Sequence, residues 1–209
     1  MKLKWIQQFI MCIVFLPLAG LTEENRLAGI FPERIRTIAL VAPASPGSST
    51  QKVDRGIALL EKSGIRVKTM PNARIGEPAG YTSIPVGKRV ADLEQAWLDP
   101  EVDLILCIRG GAGTSDILER LDWDKLRTRP DLPVLGFSDI TALHMAMLKE
   151  KAGHPYASPS LLALLSADND SLKSIHAILN GKPVSPVPLI PLRAGKASGV
   201  ALAGHLRLL

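Results

Sequence analysis

Val102 to Ile108 reads VDLILCI, an apolar run broken only by Asp103, and it leads directly into Arg109-Gly110-Gly111-Ala112-Gly113-Thr114-Ser115. A strand with one wet face alternates polar and apolar residues. A run without alternation is expected where helices cover both faces of a sheet, and this confines the chain to architectures built on a buried, mostly parallel sheet. Ile38 to Val41 is a second such run, followed by a Pro/Ser/Gly loop over 42–49; LPVLGF (132–137) is a third, and GIRVKTM (64–70) adds a short strand. Helical spacing appears between them. Val53, Ile57 and Leu60 precede a stop at Gly64, Val90, Leu93 and Trp97 precede Asp99-Pro100, and Ile117, Leu118 and Leu121 precede a further turn in DWDKLRTRP. Ile140, Leu143 and Met147 follow Asp139 as a candidate N-cap, HPYASPSLLALLS reads as a strand and then a loop, and residues 170–179 form a last helix. Strands alternating with helices at this pace predict an α/β domain over residues 33–181, a parallel sheet with helices on both faces.

The flanks differ from this core. In residues 1–20, Lys2 and Lys4 precede an apolar stretch from Phe9 to Leu18 and then Ala19-Gly20, the layout of a secretory signal peptide and short for a membrane span. Export to the periplasm is expected, with a cytoplasmic location as the alternative and no membrane contact beyond that segment. Cleavage would remove Cys12 and leave Cys107 without an intramolecular partner. Residues 182–198 read as a proline-rich linker, and 199–209 as the start of a second domain cut off near its beginning. The formal charge of +5 over 209 residues is scattered and aromatics are few, which argues against a nucleic-acid partner. No C-x-x-C or Cys/His metal pattern occurs, so neither a metal nor an organic cofactor is expected.

Three chemistries compete for Arg109 to Asp116. A dinucleotide loop needs a third glycine where Asp116 stands, and a phosphate loop needs a lysine before the hydroxyl residue. A plain turn would use the glycines for close strand-to-helix packing and the hydroxyl as a cap. A nucleophile elbow would place a hydroxyl at a sharp strand-to-helix turn, beside glycines that leave room for N–H groups to face an oxyanion. Ser115 suits that role better than Thr114, being primary and closer to the helix start. Ligands of parallel sheets gather beyond the carboxyl ends of the strands, so residues 42–49, 109–116 and 136–139 should line one rim. None of His144, His154, His176 and His205 is placed by sequence as a base for Ser115.

The stretch from Asp103 to Leu148 resembles the core of the LD-carboxypeptidase family of serine peptidases. Residues 109–118 match its R-G-G-Y-G-x-S-x-L-L elbow, Leu121-Asp122-Trp123 its L-D-[WY], and Gly136 to Ala142 its G-[YFH]-S-D-x-T-A. LVAPAS (40–45) is similar to its first strand and loop, and GVALAGHL (199–206) to the start of its second domain. The resemblance implies a flavodoxin-like or class I amidotransferase-like nucleophile domain. It also implies a cofactor-free Ser-Glu-His carboxypeptidase that removes terminal D-alanine from murein tetrapeptides. Carried onto this sequence, Ser115 is the nucleophile, the backbone N–H groups of Gly111 and Asp116 form the oxyanion hole, and Ser138 and Asp139 stand on the substrate rim. A murein peptide is the expected partner, and a homodimer is admitted. The family's Glu and His lie downstream in its second domain, so this chain alone is expected to be inactive. Ala112 stands where the family has Tyr, Asp116 where Arg is common, and His205 where the second-domain motif has Asn. Two alternatives are a non-catalytic module that binds peptidoglycan fragments and the family's branch that hydrolyses peptidyl-nucleotide antibiotics in self-immunity.

Overall fold

The computed structural model describes residues 26–47, 49–74 and 84–184, together with 195, 198, 204 and 205. Strands β1 (Thr37–Val41), β2 (Arg66–Thr69), β3 (Leu104–Cys107), β4 (Pro133–Gly136) and β5 (His154–Ala157) form one parallel sheet in the order β2-β1-β3-β4-β5. Parallel neighbours cannot be joined by tight turns, so each connection crosses over through helix. The helices are α1 (Thr50–Lys62), α2 (Val86–Leu98), α3 (Ser115–Leu118), α4 (Trp123–Leu126), α5 (Thr141–Glu150), α6 (Leu161–Leu164) and α7 (Asn169–Leu179). α1 packs on α6, whereas α2 packs on α3 and α4, and α3 on α5. The expected parallel sheet clothed by helices is the fold observed.

Every residue of β1 and of β3 is buried, which is why neither sequence alternates. The edge strands β2 and β5 are partly exposed and carry Arg66, Lys68 and His154, polar edges that deter pairing with another sheet. Trp97 is fully buried on α2, and its indole N–H donates to the Leu126 carbonyl at 3.1 Å, tying α2 to α4 without orphaning a polar group.

Three details depart from the sequence reading. Leu161–Leu164 is a helical turn rather than loop, with Leu161 lying directly over Gly56 of α1, where a Cβ would come within 2.9 Å of Leu161 Cδ1. Asp139 does not cap α5; it lies inside a 3-10 turn, Ser138–Ile140, and its carboxylate bonds to another loop. The packed body also begins upstream of residue 33, because Leu27 and Ile30 are buried and Arg26 donates to the Leu165 carbonyl at 2.9 Å. Residues 1–20 lie outside the described residues, as do most of 182–198 and of 199–209. Among the described residues no helix is long and apolar enough to cross a membrane.

The sheet order reverses between β1 and β3, since β1 continues outward to β2 and β3 the other way to β4. The crevice beyond the carboxyl ends of β1 and β3 is therefore the topological switch point, where doubly wound sheets bind their ligands.

Candidate active site

The loops after β1, β3 and β4 meet at this switch point, as the rim expectation required. A Cβ on Gly110 would fall 2.9 Å from Ser138 Cβ and 3.0 Å from the Phe137 carbonyl oxygen, so the β3 and β4 loops touch backbone to backbone. Gly111 has φ +128°, and a Cβ there would stand 2.2 Å from Ser45 Oγ in the β1 loop. That position demands glycine twice, for its dihedral and for space. Ala112 N–H donates to Ser45 Oγ at 3.2 Å, closing the contact.

Thr114 caps α3 in an ordinary right-handed conformation (φ −59°, ψ −37°), and the helix starts at Ser115. Ser115 is not among the residues with positive φ; the left-handed backbone belongs instead to Ser138, at φ +63° in the neighbouring loop. The two hydroxyls left in competition by the sequence differ sharply in access. Thr114 is fully buried, and its Oγ1 has no partner among the described residues, whereas Ser115 is exposed.

The amides of this turn are engaged in sequence. Thr114 N–H donates to Asp139 Oδ2 at 2.9 Å, Asp116 N–H to the Gly113 carbonyl at 3.1 Å, and Ile117 N–H to the Thr114 carbonyl at 3.2 Å. The N–H groups of Gly111 and Ser115 have no acceptor among the described residues. Of the two donors expected for an oxyanion, Gly111 is thus unengaged and Asp116 is held by Gly113.

Arg89 is the residue that sequence reasoning missed. It is 2% exposed on α2, where its Nε donates to the Ile84 carbonyl at 3.1 Å and its Nη1 to the carbonyls of Pro43 (2.7 Å) and Gly113 (2.6 Å). Its Nη2 lies 3.5 Å from Asp116 Oδ2. A buried guanidinium is tolerable only when its donors are satisfied, and here main-chain carbonyls of the β1 and β3 loops satisfy them. The carboxylate of Asp116 is in turn paired with a cation from a different element. The available signal was phase: Arg89, Leu93 and Trp97 fall on one stripe at i, i+4 and i+8.

No histidine is hydrogen-bonded to Ser115, whose hydroxyl has no partner among the described residues. His144 is 3% exposed on α5; burial pushes its imidazole down to about 4, against a hydrogen bond with the Val134 backbone, so it stays neutral. Its Nε2 has no partner among the described residues. His154 starts β5 and stacks on Tyr156, and His176 Nδ1 lies 3.2 Å from the Ile30 carbonyl oxygen. His205 donates its backbone N–H to Thr141 Oγ1 at 3.0 Å, bringing residues 204 and 205 to the rim. Cys107 is buried at the end of β3 with its thiol pushed up to about 12 by desolvation, so it does not compete as a nucleophile. A cavity of about 480 Å³ opens beside the β4 loop, walled by Phe137, Ser138, Thr141, Ser158, Pro159 and His205. Among the described residues no group of three His, Cys, Asp or Glu could hold a metal ion.

Residues 38–156, from β1 into β5, match the family described as the LD-carboxypeptidase N-terminal domain. The chain belongs to the LD-carboxypeptidase family. It is 31% identical to a probable murein peptide carboxypeptidase of Bacillus subtilis, over 83% of this chain and 55% of the relative. It is 30% identical to the murein tetrapeptide carboxypeptidase of Pseudomonas aeruginosa, over 82% of this chain and 58% of the relative. The chain thus spans a little over half the length of these curated relatives. Among solved structures it resembles an MccF-like protein from Bacillus anthracis, with a TM-score of 0.64 and 25% identity, over 71% of this chain and 46% of that one. The LD-carboxypeptidase match contains the whole switch-point rim: the Ser45 loop, the 109–116 turn, and Ser138-Asp139.

Proposed function

We propose that this chain supplies the nucleophile half of a serine carboxypeptidase acting on murein tetrapeptides. The observation that carries the reading is the exposed hydroxyl of Ser115 at the strand-to-helix turn of the switch point, in the same turn as Gly111, whose N–H has no acceptor among the described residues. In the proposed reaction Ser115 Oγ attacks the carbonyl that precedes the terminal D-alanine, and the oxygen that becomes negative is met by the N–H groups of Gly111 and Asp116. For the second donor to serve, Asp116 must share or release its bond to Gly113. A serine hydroxyl is a weak nucleophile without a base. No base lies within hydrogen-bonding reach of Ser115 among the described residues, so the Glu and His implied by the family would act from outside them. Ser138 and Asp139 border the same rim, and no cofactor enters the scheme. The test is calorimetric titration with a murein tetrapeptide, alongside an assay for released D-alanine. Expected are binding that weakens at least tenfold when the terminal D-alanine is removed, and release, wherever it is seen, that Ser115→Ala abolishes. A tetrapeptide that does not bind, or release that survives Ser115→Ala, overturns the reading.

The peptidyl-nucleotide alternative has its own support in the likeness to an MccF-like protein from Streptococcus pneumoniae in complex with AMP (27% identity, TM-score 0.59). The microcin C7 self-immunity protein MccF of Escherichia coli is 24% identical over 60% of this chain, against 82% for the murein tetrapeptide carboxypeptidase, which favours the murein substrate. Titration with AMP separates the two. Export is a further part of the proposal, supported by Lys2, Lys4 and the apolar stretch after them, and N-terminal sequencing of the protein recovered from the periplasm tests it.

A further inference from the structure

We infer that Arg89 and Asp139 are positioning residues that grip the two poles of a single peptide group, the Gly113–Thr114 amide, and so set the nucleophile turn. The inference rests on the reading of Ser115 as nucleophile.

The observation is that two contacts, made from opposite sides of the turn, converge on one amide plane. Arg89 Nη1 donates to the Gly113 carbonyl oxygen at 2.6 Å, and Asp139 Oδ2 accepts from the Thr114 N–H at 2.9 Å. Gly113 C=O and Thr114 N–H belong to the same planar unit, so fixing both ends fixes the plane. The cation sits on the oxygen and the anion on the hydrogen, which is the sense that strengthens both charge-assisted bonds. The next rotatable bonds along the chain are those of Thr114, and then comes Ser115. With Thr114 at φ −59° and ψ −37°, the orientation of this plane sets the frame from which Ser115 is presented. Neither gripping residue is on the turn itself: Arg89 arrives from α2, buried and anchored by Ile84 and Pro43, and Asp139 from the β4 loop.

A second consequence concerns the oxyanion donors. The Gly113 carbonyl accepts from both Arg89 and Asp116 N–H. A carbonyl oxygen has two lone pairs. When Asp116 N–H turns to an oxyanion, Arg89 keeps that carbonyl satisfied, so releasing the donor does not orphan an acceptor. Asp116 Oδ2, 3.5 Å from Arg89 Nη2, holds the same residue to the same cation. The grip thus both locks the turn and lets one of its amides go.

The test uses the 209-residue chain with Asp139→Ala, Asp139→Asn and Arg89→Lys. Amide hydrogen exchange is read by NMR at Thr114 and Asp116. The reactivity of Ser115 is read with a fluorophosphonate, whose phosphorus bonds to Oγ as fluoride leaves and the hydroxyl proton passes to solvent. Asp139→Ala is expected to speed Thr114 exchange and slow phosphonylation, each at least tenfold, at a melting temperature showing the fold intact. Asp139→Asn, which keeps an acceptor without the charge, should restore part of both. Arg89→Lys, which cannot reach Pro43 and Gly113 together, should speed exchange at Asp116. Because Arg89 is buried and its variant can misfold, the two Asp139 variants decide the outcome. Unchanged Thr114 exchange in Asp139→Ala, or lost protection with phosphonylation within twofold of the parent, overturns the inference. Labelling of the parent that survives Ser115→Ala overturns the nucleophile reading instead, and where a serine without its base is too slow to label, the exchange rates alone judge the grip.

Discussion

The two loops that meet at Gly110 hold unusual backbone in opposite ways. The loop after β3 keeps its positive dihedrals on glycines, Gly111 and Gly113, and presents Ser115 from ordinary helical geometry. The loop after β4 places φ +63° on a serine, Ser138, which packs into the space left by Gly110. A left-handed non-glycine residue costs on the order of 1 kcal/mol. The chain therefore stores its strain one loop away from the exposed Ser115 hydroxyl, and holds the Gly113–Thr114 peptide group before it by hydrogen bonds instead.

The largest break in that comparison comes from Gly111→Ala. It combines a forbidden dihedral with an overlap against buried Ser45 and should cost about 3 kcal/mol or more in urea unfolding. Adding Ser45→Gly should return only the part due to overlap; full recovery would show that the dihedral is unstrained.

Next comes acid. His144 packs beneath the β4 loop with its imidazole held near 4 by burial, while an unfolded imidazole titrates near 6.5. Below pH 6.5 the unfolded chain therefore takes up a proton that the folded chain refuses. Stability falls as the pH drops from about 6.5 to about 4 and levels out beneath, by at most about 3 kcal/mol. His144→Met should flatten that stretch of the pH–stability curve, and an unchanged slope would move its origin elsewhere.

Ser138→Gly should shift the urea midpoint upward by about 0.5–1 kcal/mol, since glycine enters the left-handed region freely. The same change made in the relaxed β3 turn would gain nothing. Ser115→Ala should be the smallest in stability, within about 0.5 kcal/mol as an exposed change, while abolishing reaction with the fluorophosphonate.

The legible parts of this molecule are those where burial is uniform. β1 and β3 announced themselves because they are covered on both faces, and the rim followed from the rule for parallel sheets. Ser115 stood out from Thr114 as a primary hydroxyl closer to the helix start, and their difference in exposure agrees. The charged residues inside α2 were passed over, because Arg89 shares the stripe of Leu93 and Trp97 but the loops that it and Asp92 bind cannot be seen in local pattern. Asp92 accepts from Asn72 N–H at 2.9 Å and from its Nδ2 at 2.8 Å. Asp139 was misread as a cap for its own helix because a partner 25 residues upstream cannot be seen in local pattern. The Leu161–Leu164 turn was missed because its helical state depends on Gly56, far away in sequence.

The thiol of Cys107 gives this architecture a clock. It sits at the end of β3, sealed in the middle of the sheet and too weak an acid to react where it lies. An alkylating reagent can reach it only when the packing that covers β3 opens. The rate of modification at that one cysteine, mapped to its own peptide, thus counts openings of the central strand. Because the next residues along the chain form the 109–116 turn, each opening so counted also disturbs the candidate active site.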